Sequence, residues 1–356
     1  MLGAIAGSLA VPSLSRASGD NRQDKVARYW HTDGGAIQCE LCPHRCRLSD
    51  GKTGRCRNRR NISGTLYALG YGKPCALHVD PIEKKPFYHV LPGSRAYSIG
   101  VAGCNLRCKN CQNYTISQKS PLETENVALS PDGAVDEARR NAAPVVAFTY
   151  TEPSVWVEYV IDTADAAHKA GLRTALVSSG YINPAAFRDC CKVLDFARFD
   201  LKSFSNRTYH DLNAGSLGPV LDTIINARTA GLWVEVIVLV VPGWNDSDAE
   251  LRSLCRWVKE HAGSDTPLHF SRFFPMYRLS GGIPTPVETL RRARDIARAE
   301  GVRYVYIGNV AGEDGTTYCP HCGSVVVNRD GFSITANNLK AGACGNCATK
   351  IAGVWE

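Results

Sequence analysis

Three cysteines, Cys104, Cys108 and Cys111, stand at C-x3-C-x2-C spacing just after an apolar run, Tyr97 to Ala102. Thiolates this close in sequence share one tight loop. They can hold three irons of a [4Fe–4S] cube and leave the fourth iron without a protein ligand. Three structural or zinc-binding cysteines are the plainer alternative. A second group, Cys39, Cys42, Cys46 and Cys56, has the makings of a tetrahedral thiolate site, most simply for zinc, with His44 as an alternative ligand. An auxiliary Fe–S cluster, or four cysteines without a metal, are also open, because thiolate spacing alone does not choose the metal. A third group, Cys319, Cys322, Cys344 and Cys347, forms two C-x2-C knuckles with 21 residues between them. Strand-like residues Ser324 to Val327 and Phe332 to Thr335 lie between the knuckles, which spells a zinc ribbon, with rubredoxin-like iron as the other reading. His321 is a bystander there, since four thiolates suffice.

Eleven of the fifteen cysteines fall into these groups. That clustering points to metal sites in a reducing compartment, the cytoplasm, rather than to disulfides. The other four, Cys75, Cys190, Cys191 and Cys255, read as small apolar residues. A net charge of +7 over 356 residues is modest and diffuse, so it argues for an anionic protein or nucleotide partner rather than for nucleic acid. No run is long enough to cross a membrane. Residues 1 to 28 read as a disordered leader without periodicity. Leu2 to Leu14 within it resembles an export signal lacking its basic start.

The elements that must position the cysteine loop follow from periodicity. Thr65 to Tyr71 and Ala96 to Val101 read as strands, and the Pro- and Gly-bearing segment Asp80 to Gly93 between them as an ordered loop over the site's mouth. Lys84, Lys85 and His89 of that loop could touch substrate. Further strands are expected at Val145–Tyr150, Arg173–Ser178, Phe196–Lys202, Trp233–Val241, Leu268–Phe274 and Arg303–Ile307. Helical patterns alternate with them at Ser154–Lys169, Pro184–Val193, Leu217–Ala230, Ser247–His261 and Pro286–Glu300. Counting the cysteine-loop strand, six β/α units in a row argue for a parallel sheet with crossover helices. Chemistry in such folds sits at the C-terminal ends of the strands. The residues expected there are Glu152, Ser178 with Ser179, Asp200 with Lys202, and His269.

From about Cys39 to the C-terminus the chain resembles the radical SAM enzyme of the AmmeMemoRadiSam system, which is similar to the pyruvate formate-lyase activating enzymes. The resemblance rests on CELCPHRCRLSDGKTGRC, DPIEKKPFYHVLPGS, GCNLRCKNCQNYTIS, FTYTEPSVW, DLKSF, FSRFFPMY, TPVETLRRAR and the closing IAGVWE. It implies an α/β fold, a partial (β/α)6 TIM-like barrel, with small Cys-rich metal modules at both ends. The N-terminal module with its loop would span residues 29–90, the core 91–312 and the ribbon 313–356. The resemblance also implies a [4Fe–4S] cluster on Cys104, Cys108 and Cys111 whose open iron takes the amino and carboxylate groups of S-adenosylmethionine. Glu152 falls where the superfamily contacts the methionine amino group, Ser178 and Ser179 in the ribose-contacting strand, and Asp200 and Lys202 in a DLK element near the cofactor. Asn110 departs from the pattern, because an aromatic residue that supports the adenine usually precedes the third cysteine. Tyr114 or backbone groups could replace it.

The expected activity is reductive cleavage of S-adenosylmethionine and hydrogen abstraction from a small-molecule or protein substrate. A glycine of a partner protein would be the target if the protein is an activase. An electron donor such as flavodoxin or ferredoxin is implied. The contrasting reading is a zinc-module protein that grips protein or nucleic acid, with the barrel as scaffold. Arg45, Arg47, Lys52, Arg55, Arg57, Arg59 and Arg60 crowd the first module and would serve it.

Overall fold

The computed structural model describes residues 25–313 and 315–356. An eight-stranded sheet organises them: β1 (Ala76–Pro81), β2 (Arg95–Gly100), β3 (Val145–Phe148), β4 (Arg173–Ser178), β5 (Phe196–Asp200), β6 (Trp233–Val240), β7 (Leu268–Arg272) and β8 (Val305–Gly308). Strands β2 to β8 are parallel and follow chain order, while β1 pairs antiparallel with β2. Six helices make the crossovers: α1 (Pro131–Arg140), α2 (Val157–Lys169), α3 (Pro184–Cys191), α4 (Gly218–Thr229), α5 (Asp248–Trp257) and α6 (Val287–Ala299). β1 and β8 are the two edges and do not pair with each other, so the sheet is open.

Both faces of these strands are covered, which is why they read as nearly continuous apolar runs. Outward residues such as Ile99, Phe148, Leu176, Phe199, Val236 and Phe270 pack with the helices in one large core. Inward residues at the starting ends of the strands, among them Ala96, Val145, Ala175 and Phe196, form a second core with Ile82, Phe87 and Val90. Local signals set the helix starts. Ser130 caps α1 by accepting from the Gly133 amide, with Pro131 in the first turn, and Ser247 caps α5 by accepting from the Glu250 amide. Helix α1 was not expected from the sequence, and the pattern expected over Ser247–His261 stops being α-helical at Trp257, continuing as a π turn over Val258–Ala262.

Two expectations need correction. The leader was placed over residues 1–28, but Lys25 and Val26 pair antiparallel with Ala68 and Tyr67, and the Arg28 amide donates to Glu158. Its remaining part, 1–24, lies outside the described residues. The segment Asp80 to Gly93 does not lie over the mouth. Its first residues finish edge strand β1, where Pro81 is tolerated because only one side of the strand is paired. The rest runs beneath the sheet as a plug. Lys85 is buried against Asp80 at 2.5 Å, and His89 is fully buried; only Lys84 keeps an exposed head.

The C-terminal module completes this plug. Its hairpin, Val325–Asp330 with Ser333–Asn337, sends Arg329 to the carbonyls of Tyr88 and Gly315 and over the Tyr88 ring, 4.4 Å from its centroid. Leu91 donates to the Val354 carbonyl, and Val354 to that of His89, each at 2.8 Å. The Ala352 carbonyl can only accept, so His89 Nδ1 carries the hydrogen at 2.6 Å, and Nε2 accepts from the Tyr306 hydroxyl.

Burial pushes the His89 imidazole down to about 4 from its ordinary 6.5. The unfolded chain takes up a proton on this ring below pH 6.5, whereas the folded protein does so only near pH 4. The ring's contribution to stability is therefore complete above pH 6.5 and is lost as pH falls through that window. Urea unfolding is expected to show a loss of about 2 kcal/mol from this group between pH 7 and pH 5. The non-titrating His89→Gln variant should lack that slope, and an unchanged slope would refute the assignment.

Candidate functional site

The cysteine loop leaves the C-terminal end of β2. Gly103, at φ +106°, turns the chain there, and a Cβ on it would stand 2.5 Å from the Cys56 carbonyl oxygen. The loop is held from the far side by the π turn Tyr209–Asn213, where the Arg107 and Lys109 amides donate to the carbonyls of Asn213 and Leu212. Each sulfur has a polar neighbour. The Leu106 amide faces Cys104 Sγ at 3.4 Å, Asn213 Nδ2 faces Cys108 Sγ at 3.2 Å, and Ser117 Oγ lies 3.2 Å from Cys111 Sγ. Burial pushes the Cys104 and Cys108 thiols up; Glu152 adds to the effect at Cys104, while Lys202 opposes it at Cys108.

Of the residues expected at the strand ends, Glu152 and Lys202 stand near enough to Cys104 and Cys108 for their charges to act there, Ser178, Ser179 and Asp200 are bonded to those two, and one residue lies elsewhere. Glu152 is buried and accepts from the Ser178 hydroxyl at 2.6 Å, the Ser179 hydroxyl at 2.5 Å, the Ser179 amide at 2.8 Å and the Ser154 amide at 3.1 Å. The three residues therefore form one unit rather than separate contacts. Asp200 joins Lys202 at 2.9 Å on one side and Arg198 on the other. Asn245 of the loop after β6 donates to the Lys202 carbonyl at 2.8 Å and so fixes that loop to the Asp200–Lys202 strand end. Glu250 accepts from the Ser203 hydroxyl and the Phe204 amide.

His269 is the exception. It is the second residue of β7, and its Nε2 lies 2.7 Å from the Glu235 carboxylate. Glu235 also accepts from the Tyr88 and His89 amides. His269 thus belongs to the plug beneath the sheet, and its ring is occupied there. Burial alone would raise the Glu235 pKa, but the hydrogen bond and charge of His269 hold it below its ordinary value.

Sequence reasoning missed Asn213, Ser117 and Asn245, whose roles depend on long-range contacts. Tyr114 is half-exposed and stacks on Tyr277, with centroids 4.6 Å apart and planes at 15°. Asn110 is buried, and its Oδ1 has no hydrogen-bond partner. His44, the alternative ligand of the first quartet, does not line the cavity that the four cysteines share, and its Nε2 meets the Asn105 carbonyl at 2.9 Å.

The ribbon cysteines lie together. Cys319 and Cys347 sulfurs are 3.6 Å apart, those of Cys322 and Cys344 3.7 Å, and all four lie within 4.8 Å of one another. A tetrahedral zinc with Zn–S near 2.3 Å needs sulfurs roughly 3.8 Å apart, so this donor set fits one. Hydrogen bonding by Ser324 pulls Cys322 down to about 5, and Thr349 lowers Cys347, whereas burial pushes Cys319 up to about 11. His321 stands outside the set.

The Radical SAM superfamily profile matches residues 98–255, from the cysteine-loop strand into α5. The uncharacterized protein MJ0808 of Methanocaldococcus jannaschii is 41% identical over 326 residues, covering 91% of this chain and 97% of that protein. The pyruvate formate-lyase 1-activating enzyme of Escherichia coli K12 is 23% identical over 218 residues, covering 57% of this chain and 89% of that enzyme. The benzylsuccinate synthase activating enzyme of Thauera aromatica is 22% identical over 187 residues, covering 49% and 56%. With its C-x3-C-x2-C loop on a mostly parallel α/β sheet, the chain belongs to the radical SAM superfamily, shares a family with MJ0808 and is similar to the pyruvate formate-lyase activating enzymes.

Proposed function

We propose that the protein is a radical SAM enzyme of the AmmeMemoRadiSam type, built on a partial barrel and working in a reducing compartment. The observation that carries this reading is that Glu152, bonded to Ser178 and Ser179, and Lys202, bonded to Asp200, stand near enough to Cys104 and Cys108 for their charges to act on those thiols. These thiolates would hold the [4Fe–4S] cluster, and their backbone and side-chain donors suit its sulfurs. Bound there, the cluster supplies an electron that cleaves S-adenosylmethionine and yields a hydrogen-abstracting radical. Glu152 would accept from the methionine ammonium, with Ser178 and Ser179 holding the carboxylate in place. Lys202, kept extended by Asp200, would offer a positive charge to the methionine carboxylate. Asn110 Oδ1, buried without a partner, would accept from the adenine amine in place of an aromatic support.

An open sheet with both ends of its hydrogen-bonding ladder unpaired leaves a side through which a peptide loop can enter. That supports a protein substrate of the kind glycyl-radical activases take, with a flavodoxin- or ferredoxin-type donor as the electron source. The alternative, a macromolecule-binding zinc module, has less support. Its arginines already have partners within the chain: Arg59 pairs with buried Glu158, Arg47 and Arg45 pair at the surface with Asp33 and Glu40, and Arg57 reaches Gln118.

Reconstituted anaerobically and reduced with dithionite, the protein should convert S-adenosylmethionine to 5′-deoxyadenosine, measured by chromatography. The Cys104/Cys108/Cys111→Ala variant should form none. Equal nucleoside from both would sink the reading. Glu152→Gln places an amide donor against the Ser178 and Ser179 donors and removes the charge that faces the methionine ammonium. Its Kd for S-adenosylmethionine, by calorimetry, should rise about 10- to 100-fold, or 1.4 to 2.8 kcal/mol; an unchanged Kd counts against the assigned role. Cys322→Ser should cost one zinc per chain by plasma mass spectrometry, and a full complement of zinc would exclude the ribbon as its site.

A further inference from the structure

All four cysteines of the N-terminal group, Cys39, Cys42, Cys46 and Cys56, line a single cavity. Yet among the described residues only the ribbon brings three or more ligand atoms within 4.8 Å of one another. The N-terminal quartet does not, and neither does the Cys104, Cys108 and Cys111 triad. A lone zinc draws its thiolates to roughly 3.8 Å. A cube of four irons sets its thiolates at the corners of a much larger tetrahedron, because the metal atoms themselves occupy the space between them. The quartet, like the cluster loop, is therefore spread more widely than the ribbon set.

Charge at the cavity agrees. Arg59 lines it and is 1% exposed. One edge of its guanidinium pairs with Glu158 at 3.0 Å, while its buried Nε–H has no partner. Such a donor suits the sulfide or thiolate of an anionic cluster. His44, the competing ligand, is turned away toward the Asn105 carbonyl.

The cavity also abuts the cysteine loop. The Cys56 carbonyl packs on Gly103, immediately before Cys104. His44, two residues after Cys42, meets the carbonyl of Asn105, immediately after Cys104, at 2.9 Å. Arg107 donates to the carbonyls of both Cys104 and Arg55.

We propose that Cys39, Cys42, Cys46 and Cys56 hold a second [4Fe–4S] cluster, which passes single electrons to the cluster on Cys104, Cys108 and Cys111. An external one-electron donor, a reduced flavodoxin- or ferredoxin-type protein or dithionite, reduces the second cluster from the 2+ to the 1+ state. Transfer across the shared loop returns it to 2+ and reduces its neighbour, with no proton or atom moved. The relay rests on the proposed radical SAM function; the presence of the second cluster does not.

The test measures iron, sulfide and zinc on the anaerobically reconstituted full chain, with electron paramagnetic resonance after dithionite reduction. Wild type should hold about eight irons and eight sulfides, twice the content of a single cube. The Cys104/Cys108/Cys111→Ala variant leaves the quartet untouched. It should keep about four irons and a reduced-cluster signal that S-adenosylmethionine does not alter. Cys42→Ser/Cys56→Ser should keep about four irons whose signal S-adenosylmethionine does shift. The reduced wild-type spectrum should be broadened by spin coupling beyond the sum of the two variants. A triple variant with no iron and two zincs would overturn the second cluster, and additive spectra would overturn the relay. Eight irons without 5′-deoxyadenosine formation would uphold the second cluster while refuting the proposed reaction.

Discussion

The constraint on which this structure turns is that the inner face of its sheet carries charge, and charge inside a protein must be paired where it stands. Arg198, Asp200 and Lys202 project inward from consecutive alternate positions of one strand and its exit, each bonded to the next. Asp80 meets Lys85 and the Tyr150 hydroxyl, and Glu235 meets His269 and two backbone amides. For the buried pairs, Asp80–Lys85 and Glu235–His269, breaking the pair leaves an uncompensated buried charge, at a cost of about 3–5 kcal/mol. Burial alone would raise the Asp80 carboxyl, yet its lysine and tyrosine partners hold it well below the usual carboxylate range. The elements that provide these partners are therefore as necessary to the site as the strands that bear it.

That requirement explains the two pieces of chain outside the repeating β/α pattern. The segment 82–91 brings apolar residues to the starting ends of the strands and backbone amides to Glu235. The ribbon then covers that segment, with Arg329 reaching carbonyls on it and Tyr306 linking His89 to Thr317. His89, Glu235, His269 and Tyr306 at the lower end of the sheet are buried as a result. The small C-terminal four-cysteine module is thus part of the same interior.

The β/α alternation was legible because each parallel strand is buried on both faces and reads as an apolar run, and because prolines and serines mark several helix starts. Strand β1 was not legible. Ala76–Pro81 mixes His78, Asp80 and Pro81, and only pairing with β2 makes it a strand. Helix α1 was hidden by its polar composition, PDGAVDEARR, of which only Ala134, Val135, Glu137 and Ala138 are buried. The strand-end rule placed Ser178 and Asp200 at the last residues of their strands, with Ser179 and Lys202 just beyond and Glu152 in the turn after β3. It misplaced His269 because Leu268–Arg272 begins just before that residue. Asn213 and Asn245 act across loops distant in sequence, and no local pattern distinguishes them from turn residues.

The cysteines show where sequence spacing stops being informative. Both terminal modules contain a C-x2-C pair, yet only the C-terminal one gathers its sulfurs around a point. There, two knuckles face each other across a short hairpin, and nothing else needs the space between them. In the N-terminal module the ligands are spread over a strand end at Cys39, the turn that carries Cys42 and Cys46, and the loop at Cys56. The Cys56 carbonyl packs against Gly103, and His44, between Cys42 and Cys46, meets the Asn105 carbonyl. Those contacts tie the module to the very loop that carries Cys104. The separation of the sulfurs is thus a tertiary property, which the C-x2-C spacing shared by both modules does not encode.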